Sequence, residues 1–365
     1  MDVGPDDITT HREYPIMRAI RLRGAGDLRM EQVPEARDPM AGEVRIRVSC
    51  VGICGSDLHT YLSGDIDQER PVDSGAAIIP GHEFAGVIES LGEPVPHRVS
   101  DVHHPVVYRL LSGDGRELAP GMRVAVDPAM SCGVCARCVE GNTNLCENLR
   151  FCGLYPYDGA LCERITVPAT CCYPLDAPPR YGGRSLDDEA GAMLEPMGVA
   201  LHAVRLSKIR PGETVAVIGV GPIGLGIAKF ATMAGARVFV TDRYPWRLRA
   251  AQIFAGVERT FCVGKDGDRN GVGDENRGNG KDSESRWNEG GEGDNGVGDG
   301  GDDVDPVAQV RRWVPGGVDV AIEAAWCDES VRQATEMLRR GGRLTITGIP
   351  EEDRLVLRHS TVRRS

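Results

Sequence analysis

The backbone passes from a short apolar segment, Thr214 to Gly219, straight into Gly219-Val220-Gly221-Pro222-Ile223-Gly224 and on into helical apolar spacing over Ile223 to Ala234. Few features restrict a fold so tightly. A continuous apolar run predicts a strand buried on both faces, as found in parallel sheets covered by helices. Three glycines at this spacing allow a sharp turn, a close backbone approach to a pyrophosphate, and tight packing of helix on strand. The start of the following helix supplies unpaired N–H groups and a partial positive charge. Arg237 to Thr241 reads as the next strand, and Asp242 follows eighteen residues after Gly224. A carboxylate there can bind a ribose 2′-OH and repel a 2′-phosphate, so the two motifs together predict a dinucleotide site for NAD rather than NADP. Arg243, next in line, could instead accept a phosphate. Val318 to Glu323, Glu329 to Arg340 and Arg343 to Thr347 repeat strand, helix, strand, which predicts an α/β unit with a doubly wound parallel sheet.

Between these two stretches lies a Gly-, Asp- and Glu-rich segment, 264–305, with 13 acidic and 5 basic residues. It holds −8 of the chain's formal charge of −12, and with almost nothing apolar apart from Trp287 and three valines it predicts a disordered insertion. The remainder is close to neutral, which argues against a nucleic-acid or anionic-membrane partner. The chain has no apolar run of about 18 residues, and Met1 to Tyr14 is polar and acidic rather than a secretory leader. These features predict a soluble cytoplasmic protein, and 365 residues allow roughly two domains of about 150 each. The first half alternates apolar and polar residues over short runs, as in Glu43 to Val48, with further short strands at Ala85 to Glu89, Arg123 to Val126 and Cys162 to Val167. That pattern predicts a small β-barrel-like domain. His97, His103 and His104 fall in a polar stretch with no fixed spacing and read as loop residues.

Four of the twelve cysteines, Cys132, Cys135, Cys138 and Cys146, form C-x2-C-x2-C-x7-C. Such spacing lets one loop bring four thiolates to the corners of a tetrahedron about 2.3 Å from Zn²⁺, a closed site with a structural role. Cys50, Cys152, Cys162, Cys171, Cys172, Cys262 and Cys327 read as small buried hydrophobes. Cys54-Gly-Ser56-Asp-Leu-His59 and Pro80-Gly-His82-Glu83 offer a thiolate, an imidazole and a carboxylate from separate segments. Those groups could hold a second zinc with one position open for catalysis.

Taken in order, Cys54-Gly-x-Asp-x-His, Gly81-His82-Glu83, the four-cysteine lobe and the Gly219 turn resemble the zinc-dependent medium-chain dehydrogenases, with the match running from about Met17 to Pro350. Leu194-Glu195-Pro196 and the residues up to His202 look like the polyol-dehydrogenase branch, which includes sorbitol, xylitol and arabinitol enzymes. In that branch a glutamate and water replace the third protein ligand, a cysteine. The resemblance implies a GroES-like β-barrel catalytic domain over 17–204 with its zinc lobe at about 130–148. It also implies a Rossmann NAD-binding domain over 205–350, interrupted by 264–305, with a flexible extension at 1–16 and a shortened tail at 351–365. Cys54, His82 and Glu83 would then surround a catalytic zinc, with Glu195 reaching it directly or through water. Ser56 would take the alcohol proton and relay it through the cofactor ribose to His59. Arg247 resembles the contact to the adenosine ribose, and Gly348 and Ile349 the loop against the nicotinamide amide. The activity implied is oxidation of a secondary hydroxyl of a polyol to a ketose. L-Threonine or another secondary alcohol is the alternative substrate, and a catalytically silent zinc- and NAD-binding homologue the alternative role. Family members add a last sheet strand beyond the position of Pro350 and commonly pair subunits through it. With Ser365 the final residue here, the expectation is an open edge at Arg343 to Thr347 and no firm homo-oligomer.

Overall fold

The computed structural model describes residues 15–66, 77–97, 107–176, 182–263, 305–348 and 357. The extension up to Tyr14, His103, His104, the acidic segment 264–304, Ile349 and all of the tail except Leu357 lie outside the described residues. The chain divides between Glu195 and Pro196 into two compact units.

The first unit opens with a hairpin, β1 (Ile16–Gly24) and β2 (Asp27–Pro34), then β3 (Glu43–Gly52), α1 (Gly55–Ser63) and β4 (Glu83–Leu91). There follow β5 (Val95–His97), β6 (Val107–Arg109), β7 (Arg123–Val126), β8 (Ala129–Met130), α2 (Ala136–Val139), β9 (Arg150–Phe151), β10 (Arg164–Pro168), β11 (Cys172–Pro174) and α3 (Asp188–Ala192). A five-stranded sheet runs in the order β10-β3-β4-β7-β11, every neighbour antiparallel. Alternation builds it: Val44 and Ile46 of β3 point into a core with Phe84, Ile88, Val124, Val126, Ile165 and Val167, while Arg45 and Arg47 stay out of it. Closest to the site, Gly52 pairs with Glu83 and Val51 with Phe84, so the end of β3 and the start of β4 are locked together.

The second unit contains most of α4 (Leu194–Leu206), then β12 (Thr214–Ile218), α5 (Pro222–Met233), β13 (Arg237–Asp242), α6 (Pro245–Ala250), β14 (Arg259–Cys262), α7 (Pro306–Trp313), β15 (Val318–Glu323), α8 (Asp328–Met337) and β16 (Leu338–Ile346). Its parallel sheet runs β14-β13-β12-β15-β16, so strand order reverses between β12 and β15. Val215 and Val217 of β12 face α4, α5 and α6, and Ala216 and Ile218 face α7 and α8. Both faces of the sheet are therefore covered, as the unbroken apolar strand demanded. The boundary expected at 204/205 falls earlier because Ala200, Ala203 and Val204 of α4 join this core.

Two local expectations are corrected. Cys327 is exposed rather than a buried hydrophobe, because it caps the start of α8; Cys50, Cys162 and Cys262 are half-buried, and only Cys152, Cys171 and Cys172 are buried as expected. The helix expected to reach Arg340 stops at Met337, because Leu338 pairs with Val318 and the Arg339 guanidinium is drawn to Asp319 at 2.7 Å. Among the described residues no helix is long and apolar enough to cross a membrane.

Candidate active site

Cys54, two residues past the end of β3, caps α1: its sulfur accepts the Asp57 N–H, and Asp57 Oδ2 accepts the Cys54 N–H at 3.0 Å. The other oxygen, Asp57 Oδ1, accepts the Gly81 N–H at 3.3 Å and lies 3.6 Å from His82 Nδ1. A single carboxylate thereby ties the helix that carries the thiol to the segment that carries the imidazole. Gly81 makes the approach with φ +96, in the region that favours glycine, and a Cβ there would press on Leu161 and Val51 at 3.0 Å. Gly52 is needed for a different reason: a Cβ on it would stand 2.2 Å from Glu83 Oε2.

The outcome is a cluster in which one ligand atom each from Cys54, His82 and Glu83 lies within 4.8 Å of the others. His82 and Glu83 are buried, and the ring of His82 meets Phe151 edge-on with centroids 5.5 Å apart. His82 Nδ1 has no hydrogen-bond partner among the described residues. A buried ring nitrogen without a partner is costly, and a cation shared with a thiolate and a carboxylate would offset the cost. Burial pushes both the Cys54 thiol and the Glu83 carboxyl above their ordinary values; a divalent cation between them would reverse both shifts. This donor set, one soft sulfur, one imidazole and one carboxylate, suits a zinc ion with a position open to substrate.

Glu195 opens α4 half-buried, outside the 4.8 Å group. Burial raises its carboxyl to about 7; the His82 imidazole opposes the rise, and Glu83, Asp127 and Asp57 add to it, which places Glu195 in the same electrostatic neighbourhood. Ser56 is half-buried and its hydroxyl bonds the Cys54 sulfur, while His59 stands exposed on α1.

The four-cysteine loop closes as its spacing requires. Sγ atoms of Cys132, Cys135, Cys138 and Cys146 lie within 4.8 Å of one another, with Cys135–Cys138 at 3.5 Å and Cys135–Cys146 at 3.9 Å. Tetrahedral thiolates about 2.3 Å from zinc stand about 3.8 Å apart, so the cage fits the ion. Backbone N–H groups already point at the sulfurs: Val134 and Cys135 pull the Cys132 thiol down to about 6. The N–H groups of Cys132 and Asn148 reach Cys146 Sγ at 3.2 and 3.4 Å.

In the second unit, Gly219 turns with φ +84, and a Cβ on it would lie 2.6 Å from the Ala325 methyl. A Cβ on Gly224 would lie 1.9 Å from the Gly219 carbonyl oxygen. Gly221 caps α5, followed by Pro222 and Ile223 in its first turn. Asp242 is buried at the end of β13; Oδ2 accepts the Val220 N–H at 2.8 Å, and Oδ1 accepts the Tyr244 N–H at 2.9 Å. A carboxylate with roughly four acceptor positions keeps capacity for a ribose hydroxyl. Arg247 Nη1 stands 3.7 Å from Asp242, its guanidinium packs on Tyr244 and Trp246, and its buried Nε has no hydrogen-bond partner among the described residues. Gly219, Gly221, Gly224, Asp242 and Arg247 thus gather at one end of the sheet; Gly348 follows β16 at the same strand ends, and Ile349 lies outside the described residues. Sequence reasoning left Asp57, Gly52 and Glu323 without roles. For Asp57 a signal was available, since it stands three residues after a capping residue.

Fold and site together define a metal-dependent dehydrogenase with a metal-binding unit and a dinucleotide-binding unit. Residues 40–177 match the alcohol dehydrogenase GroES-like domain. A sorbitol dehydrogenase of Bacillus subtilis is 30% identical over 352 residues, covering 95% of this chain and 79% of the relative. A protein of Aspergillus clavatus named as a D-xylulose reductase A is 33% identical over 239 residues, 65% of this chain and 58% of the relative's length. A Sinorhizobium meliloti protein described as a zinc-binding dehydrogenase, crystallised with NADP, superposes with a TM-score of 0.66 at 29% identity, covering 95% of this chain and 81% of that one. The chain belongs to the zinc-dependent medium-chain dehydrogenase/reductase family, on its polyol-dehydrogenase-like branch.

Proposed function

We propose that the chain oxidises a secondary hydroxyl of a small polyol to a ketone with NAD, using a zinc held by Cys54, His82 and Glu83. The observation that carries this reading is the mutual approach of one ligand atom each from Cys54, His82 and Glu83, the last two on buried residues. When bound, zinc supplies Lewis acidity to the substrate hydroxyl and NAD accepts the hydride. The chain's own residues handle the proton. Ser56, beside Cys54, would accept it from the hydroxyl while releasing its own through the cofactor ribose towards His59, exposed one turn further along α1, which would pass it to solvent. Glu195, whose carboxyl responds to His82 and Glu83, would reach the same metal directly or through water. Asp242 holds the adenosine ribose and disfavours a 2′-phosphate, Arg247 packs beside it, and Gly348 with Ile349 borders the nicotinamide. Cys132, Cys135, Cys138 and Cys146 hold a second, structural zinc.

The test is metal content per chain together with reduction of NAD, and separately of NADP, across sorbitol, xylitol, arabinitol and L-threonine. About two zinc ions and fastest turnover of a polyol with NAD are expected. Faster turnover of L-threonine would reassign the substrate, and metal and NADH binding without turnover of any of them would leave a binding protein.

A further inference from the structure

Glu323 is the last residue of β15 and is 1% exposed. It pairs with Ile218, across the boundary where strand order reverses, which in open α/β sheets is where ligands bind. Its side chain has no basic partner among the described residues; instead Oε1 accepts from Ala325 N at 2.7 Å and Trp326 N at 3.0 Å, and lies 2.6 Å from Ser330 Oγ, whose one proton is shared with the Cys327 carbonyl at 2.6 Å. Burying a carboxylate on neutral donors alone destabilises a fold unless the geometry it imposes is needed.

That geometry is specific. The turn it holds places Trp326 at φ +68, a strained conformation for a bulky side chain. It presses Ala325 against the Gly219 turn, where a Cβ on Gly219 would come within 2.6 Å of the Ala325 methyl. On the other side, a Cβ on Gly348 would lie 2.6 Å from Glu323 Oε2, and the Glu323 carbonyl accepts from Thr347 N at 2.9 Å and Thr347 Oγ1 at 2.6 Å. Through Ser330 the same carboxylate reaches the first turn of α8. Three segments that border the dinucleotide site, the glycine turn, the loop after β15 and the loop after β16, therefore converge on one buried group.

We propose that Glu323 is a positioning residue for the dinucleotide, fixing the rim against which the pyrophosphate and nicotinamide ribose seat. The inference rests on the assignment of this unit as the NAD site. The strained turn at Trp326 persists because the carboxylate determines it, and releasing the carboxylate lets Ala325 and Gly348 leave their places.

The experiment measures NADH affinity of the full chain by fluorescence titration, with zinc content and thermal unfolding recorded on the same samples. Glu323→Ala should raise the NADH Kd about tenfold or more, the equivalent of losing one or two buried hydrogen bonds from the bound state. Glu323→Gln, whose amide oxygen can accept the same three bonds, should stay within about threefold of wild type. Zinc content should not change in either variant. A residue with only a structural role would lower the melting temperature of Glu323→Ala while leaving the Kd of the folded protein unaltered, and that result overturns the proposal. Should Glu323→Ala fail to fold, Ser330→Ala removes one donor without deleting the carboxylate, and a wild-type Kd for it overturns the proposal equally. Absence of NADH binding by the wild type would remove the functional assignment and this inference with it; wild-type affinity in folded Glu323→Ala, or in Ser330→Ala, removes this inference alone.

Discussion

Replacing Asp319 by asparagine should cost the dinucleotide-binding unit about 2 kcal/mol at neutral pH, and the loss should fade in acid. Asp319 lies in β15, and its Oδ2 accepts both the N–H and the hydroxyl of Thr214, the first residue of β12, at 2.8 Å each. Its Oδ1 accepts from Arg339 Nε of β16 at 2.7 Å, so one carboxylate joins the three strands that end at the Gly219 turn, Glu323 and Gly348. Partial burial alone would raise this carboxyl; the Thr214 N–H, the Arg339 guanidinium and the Thr214 hydroxyl outweigh it and bring it from 3.8 down to about 2. A depression of that size corresponds to about 2 kcal/mol once screening of a carboxylate that remains partly exposed is counted. Because the folded-state value is the lower one, the stabilisation is complete above pH 4. It drains away between 3.8 and about 2, with about half remaining at pH 3. All four tryptophans, Trp246, Trp287, Trp313 and Trp326, lie beyond Glu195, so their fluorescence during urea unfolding reports this unit by itself. Curves for wild type and Asp319→Asn at pH 7, 5, 4 and 3 give the difference directly. A gap that stays constant from pH 7 to pH 3, or one below about 0.5 kcal/mol at pH 7, would refute the reasoning.

Cys146→Ser should lower the metal content from about two ions per chain to about one while NADH affinity is kept, as read by elemental analysis and titration; loss of both ions would show that the two metal sites depend on each other. Gly224→Ala, whose methyl would fall 1.9 Å from the Gly219 carbonyl, should raise the NADH Kd by about 100-fold with little change in far-ultraviolet dichroism. Unchanged affinity would place the dinucleotide elsewhere. Glu195→Ala should slow polyol turnover by about two orders of magnitude and leave NADH affinity within about twofold, since the carboxyl of Glu195 responds to His82 and Glu83. Equal losses in both would move Glu195 away from the metal.

What the sequence made legible was local. Cys132 to Cys146 lie within one loop, so spacing alone anticipates their convergence, and the Gly219 turn announces itself because strand, glycines and helix are consecutive. The two faces of β12 could not be assigned beforehand, but a run apolar at every position already required both to be covered. What stayed hidden depends on pairing across long separations. Gly52 looks like any loop glycine until its register with Glu83 shows that a methyl there would displace the carboxylate. Glu323 looks like a polar end to an apolar strand, and only the fold of Ala324 to Ser330 over it reveals a buried acceptor. The end of α8 misleads for the same reason: the helical spacing continues past Met337, but Val318 and Asp319 claim Leu338 and Arg339 for the sheet.

Asp57 gives the metal centre a property beyond geometry. Its two oxygens bind the amides of Cys54 and Gly81, so the first turn of α1 and the approach to His82 share one clamp. An arriving cation would fasten the same two segments a second time through Cys54 and His82, which makes loading of the ion and consolidation of α1 a single equilibrium. Chelation would then register first as faster amide exchange in Gly55 to Ser63, ahead of any loosening of the parallel sheet.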